Sequence, residues 1–333
     1  MKLESVRGLK ANVFSSVVNQ PQFLGASAVR SNSMGFPSHM SLGISKKGNE
    51  HVLAIRVFSR NPPWYKAVLE SINKLSCGEV DVQFSSMPSA IDPPAMSFAE
   101  GDGPAWRRER TRPLKIGLSI GHENVTAGTL GAFAKVNGKI CILSNNHVMA
   151  NCNESKPGDK ILQPGKYDKG NLEKDVVAKL LKFAPIKSKG NLVDCAVAEL
   201  VSGEKYDAGT VEGVGKLSGV AKNEIEIGEV VHKFGRTTST CHGVVTAVEI
   251  DSIGIGYGDK LGVCYFDDQI EICSKDGPFS LGGDSGSGVL NSKNQLCALL
   301  FAGANGGGKF GNGTTIVNPI SHVLKALEAE ILF

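Results

Sequence analysis

The sequence lacks three features that would assign a protein of 333 residues to a membrane, a secretory route or a strongly charged partner. No apolar run reaches the roughly 18 residues that a membrane-spanning helix requires. The first thirty residues contain scattered basic residues and no sustained apolar segment, so they do not resemble a signal peptide. The net charge is only +3, which favours neither a nucleic-acid nor a membrane partner. We therefore expect a soluble, cytoplasmic protein.

The sequence also lacks the closely paired cysteines and histidines of a zinc site. Its eight cysteines are dispersed, and several lie in apolar segments, where a thiol behaves as a small hydrophobic group. We expect all eight to be reduced, although an even number leaves disulfide pairing open. No pattern indicates a metal ion or another cofactor. The cysteines are Cys77, Cys141, Cys152, Cys195, Cys241, Cys264, Cys273 and Cys297.

The segment 282–288, Gly-Gly-Asp-Ser-Gly-Ser-Gly, is the strongest indication of chemistry. Four glycines around two serines describe a tight turn whose backbone approaches a neighbour closely. Ser285 lies at its centre, where the hydroxyl is uncrowded and nearby amides can point into one small volume. That geometry suits the nucleophile and the oxyanion donors of acyl transfer. A flexible Gly/Ser loop is the alternative interpretation.

A base and an orienting carboxylate for such a serine lie upstream. His147 follows a short apolar strand that breaks into a polar turn, and Asp194 lies inside the otherwise apolar run 192–198. Burying a carboxylate is costly unless it is hydrogen-bonded, and an imidazole N–H would supply that bond. The order along the chain is therefore His, Asp, Ser. Weaker candidates for the carboxylate are Asp168, Asp175 and Glu199.

Three motifs in this order resemble those of the trypsin-like (chymotrypsin-fold) serine proteases. They are the nucleophile motif Gly-Asp-Ser-Gly-Ser at 283–287, the histidine motif Leu-Ser-Asn-Asn-His-Val at 143–148 and the aspartate motif Val-Asp-Cys-Ala-Val at 193–197. From about residue 40 onward the chain is similar to bacterial members with a small N-terminal domain. The shared phrases include Ser-Ile-Gly-His at 119–122 and Phe-Gly-Arg-Thr-Thr at 234–238. Three ordered motifs are far more specific than any one alone.

The resemblance implies a catalytic triad and an oxyanion hole. Ser285 would be the nucleophile, His147 the general base, and Asp194 the group that orients the imidazole. The amides of Gly283 and Ser285 would receive the oxyanion.

The resemblance also places a specificity pocket. Its base would be formed by Phe279 with Ser280, and its opposite wall by Phe301, Ala302 and Gly303. Without a carboxylate at the base, a basic substrate side chain finds no counter-charge, so we expect cleavage after an apolar or small residue. Asp276 is the residue that could overturn this expectation by reaching the pocket.

Asp284 raises the question of activation. In the resembling family this position anchors a chain terminus that cleavage releases. Ile116-Gly117, which follows the basic run 107–112, is faintly similar to such a new terminus, although a plain first strand fits as well. Either an internal group satisfies Asp284, or activity awaits a trigger.

The predicted fold is mainly β: two six-stranded antiparallel β-barrels with a C-terminal helix, preceded by a small α+β domain of ββαβ order. The hairpin signal Asn137-Gly138 supports the first set of strands. An amphipathic helix should begin at Pro319, with an apolar stripe that runs to Ile331 and docks on the second barrel. We expect an N-terminal extension at 1–38, the ββαβ domain at 39–85, a linker at 86–113 and the protease domain at 114–333.

Two functional classes follow from the sequence. The first is a serine endopeptidase that hydrolyses a protein or peptide substrate, cleaving a dedicated protein partner inside the cell. The second is a latent or inactive protease-fold module for regulation or binding, which requires a partner to engage the N-terminal domain or the linker. An intact triad favours the first class.

Overall fold

Strands dominate the computed structural model, which describes residues 1–18, 39–58, 65–91 and 104–333. The mainly β fold with a C-terminal helix and a small N-terminal unit is confirmed. Three predicted parts lie outside the described residues: the second half of the 1–38 extension, the Asn61-Pro62-Pro63 segment that predicts the start of the helix in the ββαβ domain, and the middle of the linker.

The N-terminal unit consists of helix α1, a hairpin, a second helix and a third strand. The hairpin strands β1 and β2 pair antiparallel along their full length, and β3 adds parallel to β2. Val68 and Ile72, which lie about one helical turn apart, are the completely buried positions of α2. The bounds are α1 Leu3–Val13, β1 Met40–Lys47, β2 Glu50–Val57, α2 Tyr65–Leu75 and β3 Val80–Phe84.

The first large sheet curls into a half-barrel rather than closing with six strands. Its hairpin turns at Asn137 and Gly138, both of which have positive φ (49° and 80°), as the Asn-Gly signal predicted. The histidine turn forms the short helix α3. The bounds are β4 Leu114–Lys115, β5 Ser119–His122, β6 Gly128–Thr129, β7 Ala132–Val136, β8 Lys139–Ser144, α3 Asn146–Met149, β9 Lys160–Leu162, β10 Val176–Phe183 and β11 Ala196–Leu200.

Short strands then connect the two sheets. Each of them pairs over only two residues, because the connection is rich in glycine, which weakens strands. The bounds are β12 Tyr206–Asp207, β13 Thr210–Val211, β14 Gly215–Lys216 and β15 Gly219–Val220.

The second sheet closes into a six-stranded antiparallel barrel. The strands follow one another in the order β16, β21, β22, β23, β20 and β17, and pairing between β16 and β17 completes the ring. The bounds are β16 Val230–Gly235, β17 Ser239–Asp251, β18 Ile253–Gly256, α4 Gly258–Leu261, β19 Val263–Phe266, β20 Gln269–Cys273, β21 Gly288–Asn291, β22 Gln295–Ala304 and β23 Thr314–Pro319.

Two details of the second barrel differ from the sequence prediction. The segment 263–273, which its apolar residues predict as a single strand, forms two strands, because Asp268 takes a left-handed φ of 57° and turns the chain between β19 and β20. The hairpin partner β18 was not predicted at all. Tyr257, whose role in the site is described below, lies directly after β18 in the connection of this β18–β19 hairpin.

The C-terminal helix is shorter than its apolar stripe suggested. Helix α5 spans Ile320–Leu327 and ends at Glu328, which has a left-handed φ of 54°. Val323 and Leu327 are completely buried. Ile331 belongs instead to a last strand, β24 Glu330–Leu332, which pairs with β7 of the half-barrel. The chain end therefore ties the half-barrel to the second barrel.

The N-terminal unit continues the sheet of the second barrel. Strand β1 pairs antiparallel with β17, with Leu42 opposite Asp251 and Ile44 opposite Val248. Across this join the buried Arg56 donates to Glu271 of β20 at 2.7 and 2.8 Å. Because both side chains are almost completely buried, each neutralises a charge that would otherwise be costly.

Candidate active site

The histidine turn is held by the two asparagines that precede His147. Asn145 Nδ2 donates to the backbone carbonyl of Asp194 at 2.7 Å, and Asn146 Nδ2 donates to the carbonyl of Ala184 at 2.8 Å. All residues of α3 are buried. The polar turn seen in the sequence therefore fixes the position of the imidazole against β11 and its preceding loop.

His147 and Asp194 lie together. His147 Nδ1 is 2.6 Å from Asp194 Oδ2, and the backbone N–H of His147 donates to Asp194 Oδ1 at 3.3 Å. Asp194 is completely buried, and Asn318 Oδ1 accepts from its backbone N–H at 3.0 Å. A buried carboxylate in this position favours the tautomer with the proton on Nδ1.

Tyr257 is a member of this group that the sequence did not reveal. Its hydroxyl donates to Asp194 Oδ2 at 2.7 Å, so that this oxygen accepts from both the phenol and the imidazole. Burial, together with the neighbouring Asp194 carboxylate, raises the pKa of Tyr257 well above its usual value. The hydroxyl therefore stays protonated and available as a donor. The sequence did not indicate this role, because Tyr257 lies between two glycines at the end of a strand that was not predicted.

Ser285 lies on the predicted tight turn. Gly283 and Gly286 on either side have φ values of 96° and 92°, which a residue with a side chain rarely adopts. A Cβ at Gly286 would also collide with the Ser144 side chain and the Thr129 carbonyl. The half-buried Ser285 accepts at its backbone carbonyl from Thr129 N–H at 2.7 Å. The turn is thus packed directly against the half-barrel.

The backbone amides of the turn fall into two groups. Those of Asp284 and Gly286 donate to the carbonyls of Leu281 and Leu300, at 3.0 and 2.8 Å. Those of Gly283 and Ser285 donate to no acceptor among the described residues. These last two are the amides that the resemblance assigns to the oxyanion hole.

His147 Nε2 is buried and has no hydrogen-bond partner within the described parts of the chain. The structure therefore joins the histidine to the aspartate without a hydrogen bond from Ser285 to the imidazole. Bonds between a nucleophile and its base are often long in proteins without substrate and tighten in the substrate complex.

Asp284, next to the proposed nucleophile, has an internal partner. Its Oδ2 lies 3.3 Å from Lys233 Nζ, and both side chains are completely buried. Asp284 Oδ1 accepts from the backbone N–H groups of Thr237 and Thr238, at 2.8 and 3.1 Å. The sequence left two alternatives for Asp284, an internal partner or a trigger for activity. The structure provides the internal partner, Lys233. Lys233 is a lone lysine inside the strand 230–235 and carries no motif, so the sequence did not reveal this partner.

Ile116 and Gly117 belong to the fold rather than to a free chain end. Ile116 is buried, and Gly117 has a φ of 92° with no room for a Cβ beside Phe234. In the nearby basic run, Arg107 is also buried, and its guanidinium donates to the carbonyl of Arg236 at 2.9 Å.

The weaker candidates for the triad carboxylate are engaged elsewhere. Asp168 Oδ2 accepts from Arg236 Nε at 2.9 Å. Asp175 accepts from Arg110, and Glu199 accepts from Lys139 at the surface. Asp194 is the carboxylate that contacts His147.

A cavity of about 20 Å³ lies beside Ser285. Of the predicted pocket residues, Ser280, Ala302 and Gly303 line it, together with Leu281 and Gly282. Phe279 and Phe301 are buried in apolar clusters of the second barrel and do not line the cavity. Asp276 is exposed and does not line it either.

Within the described residues, no group of three or more His, Cys, Asp or Glu side chains is placed to hold a metal ion. No helix in the described parts of the chain is both long and apolar enough to cross a membrane.

Comparisons with known proteins give one family match and several structural likenesses. The family model of the Nal1 C-terminal domain matches residues 188–316, which include Asp194 and Ser285. Among solved structures, the chain is similar to a glutamic acid-specific serine protease described as using a histidine triad in substrate binding (17% identity, 66% of this chain and 100% of that chain, TM-score 0.47). It is also similar to Thermobifida fusca protease A (15% identity, 66% of this chain and 98% of that chain, TM-score 0.45). A third similar structure is Cellulomonas bogoriensis chymotrypsin (17% identity, 66% of this chain and 98% of that chain, TM-score 0.44). No curated protein matches the chain.

Proposed function

We propose that the chain is a serine endopeptidase in which Ser285, His147 and Asp194 act as a catalytic triad. The observation that carries the proposal is the buried contact of 2.6 Å between His147 Nδ1 and Asp194 Oδ2. It leaves Nε2 as the ring nitrogen that can exchange a proton with a nucleophile. A carboxylate placed in this way also stabilises the imidazolium that forms during catalysis.

In the proposed reaction, Ser285 Oγ attacks the carbonyl carbon of a peptide bond while His147 Nε2 takes the hydroxyl proton. The carbonyl oxygen becomes an oxyanion, which the amides of Gly283 and Ser285 receive. The C–N bond then breaks, His147 returns the proton to the leaving amine, and the acyl group stays on Oγ as an ester. Water then attacks the ester carbon while His147 takes its proton; the bond between the acyl carbon and Oγ breaks, His147 returns the proton to Ser285 Oγ, and the acid is released.

The surroundings of the turn support this assignment. The buried Lys233–Asp284 pair holds the residue before Ser285 without a cleaved chain terminus. Tyr257 adds a second donor to Asp194. Preset donors of this kind need no reorganisation when charge develops in the reaction.

The proposed substrate is a protein or peptide, and the proposed setting is the cytoplasm, where thiols stay reduced. We infer a dedicated protein partner there, with the N-terminal unit as a surface where an activating partner would dock. The second candidate function is a protease-fold binding module that is inactive until such engagement. The missing hydrogen bond at His147 Nε2 is the observation that favours it.

Labelling of the purified chain with a fluorophosphonate probe tests the proposal. Probe should attach to Ser285 in the parent protein and should be absent from Ser285→Ala. By the behaviour of serine proteases in general, Ser285→Ala and His147→Ala should lower peptide hydrolysis about a millionfold, and Asp194→Ala somewhat less. A folded Ser285→Ala protein with the parent's activity would overturn the assignment.

A further inference from the structure

Residues 85–91, here termed the covering segment, join the second barrel through single β-bridges, from Ser89 to Gly303 of β22 and to Gly256 of β18. The N–H of Ser89 donates to the carbonyl of Gly303 at 2.8 Å, and the N–H of Gly303 donates back to Ser89 at 3.1 Å. On the other side, Ala90 donates to Gly256 at 3.0 Å, and Gly256 donates to Pro88 at 2.9 Å. Both backbone edges of the segment are therefore paired.

The covering segment lies at the proposed nucleophile. Ser89 and Ala90 line the same cavity as Ser285, which Gly282 and Gly303 also line. Ala90 is buried in an apolar cluster that contains Tyr257, the donor to Asp194. One short stretch of chain thus contacts the pocket and packs near the group that orients the histidine.

The space between Gly256 and Gly303, here termed the groove, fits an extended peptide. A chain that adds to an open strand edge gains main-chain hydrogen bonds, and pockets along the edge select its side chains. Gly256 and Gly303 present backbone donors and acceptors from two sides, and the side chains seated between them are the small ones of Ser89 and Ala90. A substrate peptide that is to reach Ser285 along the Gly303 edge needs the same donors and acceptors.

The covering segment is held mainly through its backbone. Only Pro88 and Ala90 are buried, while Ser86 and Ile91 are exposed. Because its side chains bury little apolar surface, its attachment is weak for its length. Its tether within the same chain nevertheless gives it a high effective concentration against a peptide from solution.

We propose that the covering segment is a built-in competitor of the substrate, which fills the groove beside Ser285 and must leave before an extended peptide with small side chains can bind. This inference rests on the proposed function and specifies how that same site is regulated. Displacement of residues 85–91 would be the trigger that opens the site.

Peptide binding tests the inference without requiring catalysis. A fluorescent peptide with the sequence of residues 85–91, Ser-Ser-Met-Pro-Ser-Ala-Ile, is titrated into proteins that all carry Ser285→Ala. Ala90→Asp places a charge in the buried apolar position and should expel the covering segment, so the peptide should bind at least tenfold more tightly than to the parent. Ser86→Asp adds the same charge at an exposed position of the segment and should bind as the parent does.

A reversible lock provides a second variant that does not depend on a buried charge. Ser86 N–H donates to the Gly306 carbonyl at 3.2 Å, and a Cβ at Gly306 would lie 3.8 Å from Ser86 Oγ. Ser86→Cys with Gly306→Cys, in a Cys77→Ser background, should form a disulfide that fastens the segment. The oxidised protein should bind the peptide at least tenfold more weakly than the reduced one.

The outcomes separate this inference from the proposed function. Equal peptide affinity in the parent, in folded Ala90→Asp and in both states of the lock would overturn the role of the covering segment, whatever the hydrolysis assays show. If Ala90→Asp fails to fold, the lock decides alone. Affinities that change as expected, with no probe labelling or hydrolysis in any variant that keeps Ser285, would retain the covering segment and overturn the endopeptidase.

Discussion

The ammonium group of Lys233 lies 3.3 Å from Asp284 Oδ2, with both side chains completely buried directly beside the proposed nucleophile. A buried charge needs a partner, so each of these residues requires the other. The pair also links strand β16 to the turn that carries Ser285.

Lys233→Met should therefore destabilise the protein and slow probe labelling of Ser285. Removing one partner of a buried ion pair costs about 3–5 kcal/mol, because the other charge is left uncompensated. The free energy of unfolding, measured with urea, reports the loss. Lys260→Met is the matched control, because Lys260 pairs with Glu154 at the surface, where the cost is about 1 kcal/mol or less. Equal stability losses in the two variants would contradict the role given to the buried pair.

Tyr257→Phe should lower kcat about tenfold or more and leave KM nearly unchanged. The variant removes one hydrogen bond to the Asp194 carboxylate and keeps the ring, and a hydrogen bond to a charged group contributes about 1.5–3 kcal/mol. Steady-state kinetics on a peptide substrate provide the measurement. Tyr206→Phe, an exposed position whose ring stacks on Phe133, is the control and should behave as the parent. A change confined to KM would argue against a positioning role for Tyr257.

The cysteines should all titrate as free thiols in the denatured, unreduced protein. All eight are unpaired in the structure, and Cys77 alone among them is exposed. In the native protein Cys77 should therefore react first with iodoacetamide, and the reaction should disappear in Cys77→Ser. Four or fewer free thiols after denaturation would place the chain in an oxidising compartment.

Cys152 should make stability depend on alkaline pH. Burial, with the Asp194 carboxylate nearby, raises the pKa of Cys152 to about 12 from its usual value of about 9. Below pH 9 the thiol is protonated in both folded and unfolded chains and has no effect. Between about 9 and 12 the unfolded chain alone releases the proton, so the free energy of unfolding falls with rising pH, by up to about 1.4 kcal/mol per unit for this thiol. Urea unfolding should show a shallower decline for Cys152→Ala, and parallel curves would refute the prediction.

Cleavage should occur after apolar or small residues in preference to arginine or lysine. The cavity beside Ser285 is small, and no carboxylate lines it among the described residues. A basic side chain would lose several kcal/mol of hydration there without a counter-charge. Profiling on a diverse peptide library gives the preference directly. Ser280→Asp, which adds a carboxylate to the lining, should raise the share of cleavage after basic residues; a parent enzyme already selective for arginine would show that a carboxylate such as Asp276 reaches the pocket.

Local sequence patterns were sufficient for much of the fold. The Asn137-Gly138 turn follows from turn chemistry, which acts over a few positions. The strands of the second barrel were also predictable as a set. For the first set the sequence predicted a closed six-stranded barrel, whereas the structure has a half-barrel, because local patterns do not determine whether a sheet closes. Ile331 continues the apolar spacing of the C-terminal helix, but it lies in the short strand β24. Apolar spacing alone does not distinguish a last helical turn from a short strand.

The sequence predicted the motif residues of the candidate site but not the residues that hydrogen-bond or pair with its carboxylates. His147, Asp194 and Ser285 stand in motifs that the resemblance identified, and the structure brings the first two into contact. Lys233 and Tyr257 lie far along the chain from the carboxylates that they contact, and a lone lysine or tyrosine carries no motif. The covering segment pairs through backbone groups that every residue possesses, so composition pointed only to a linker.

The join between β1 and β17 affects how the protein can be divided for experiments. A fragment that begins at residue 114 would leave one edge of β17 without its neighbour and would leave Glu271 without Arg56. An uncovered strand edge is a template for pairing with other chains, and a buried carboxylate without its cation is costly. The fragment should therefore associate and precipitate where the whole chain stays dispersed. We therefore expect that the chain cannot be divided at the boundary predicted before residue 114 without exposing these groups.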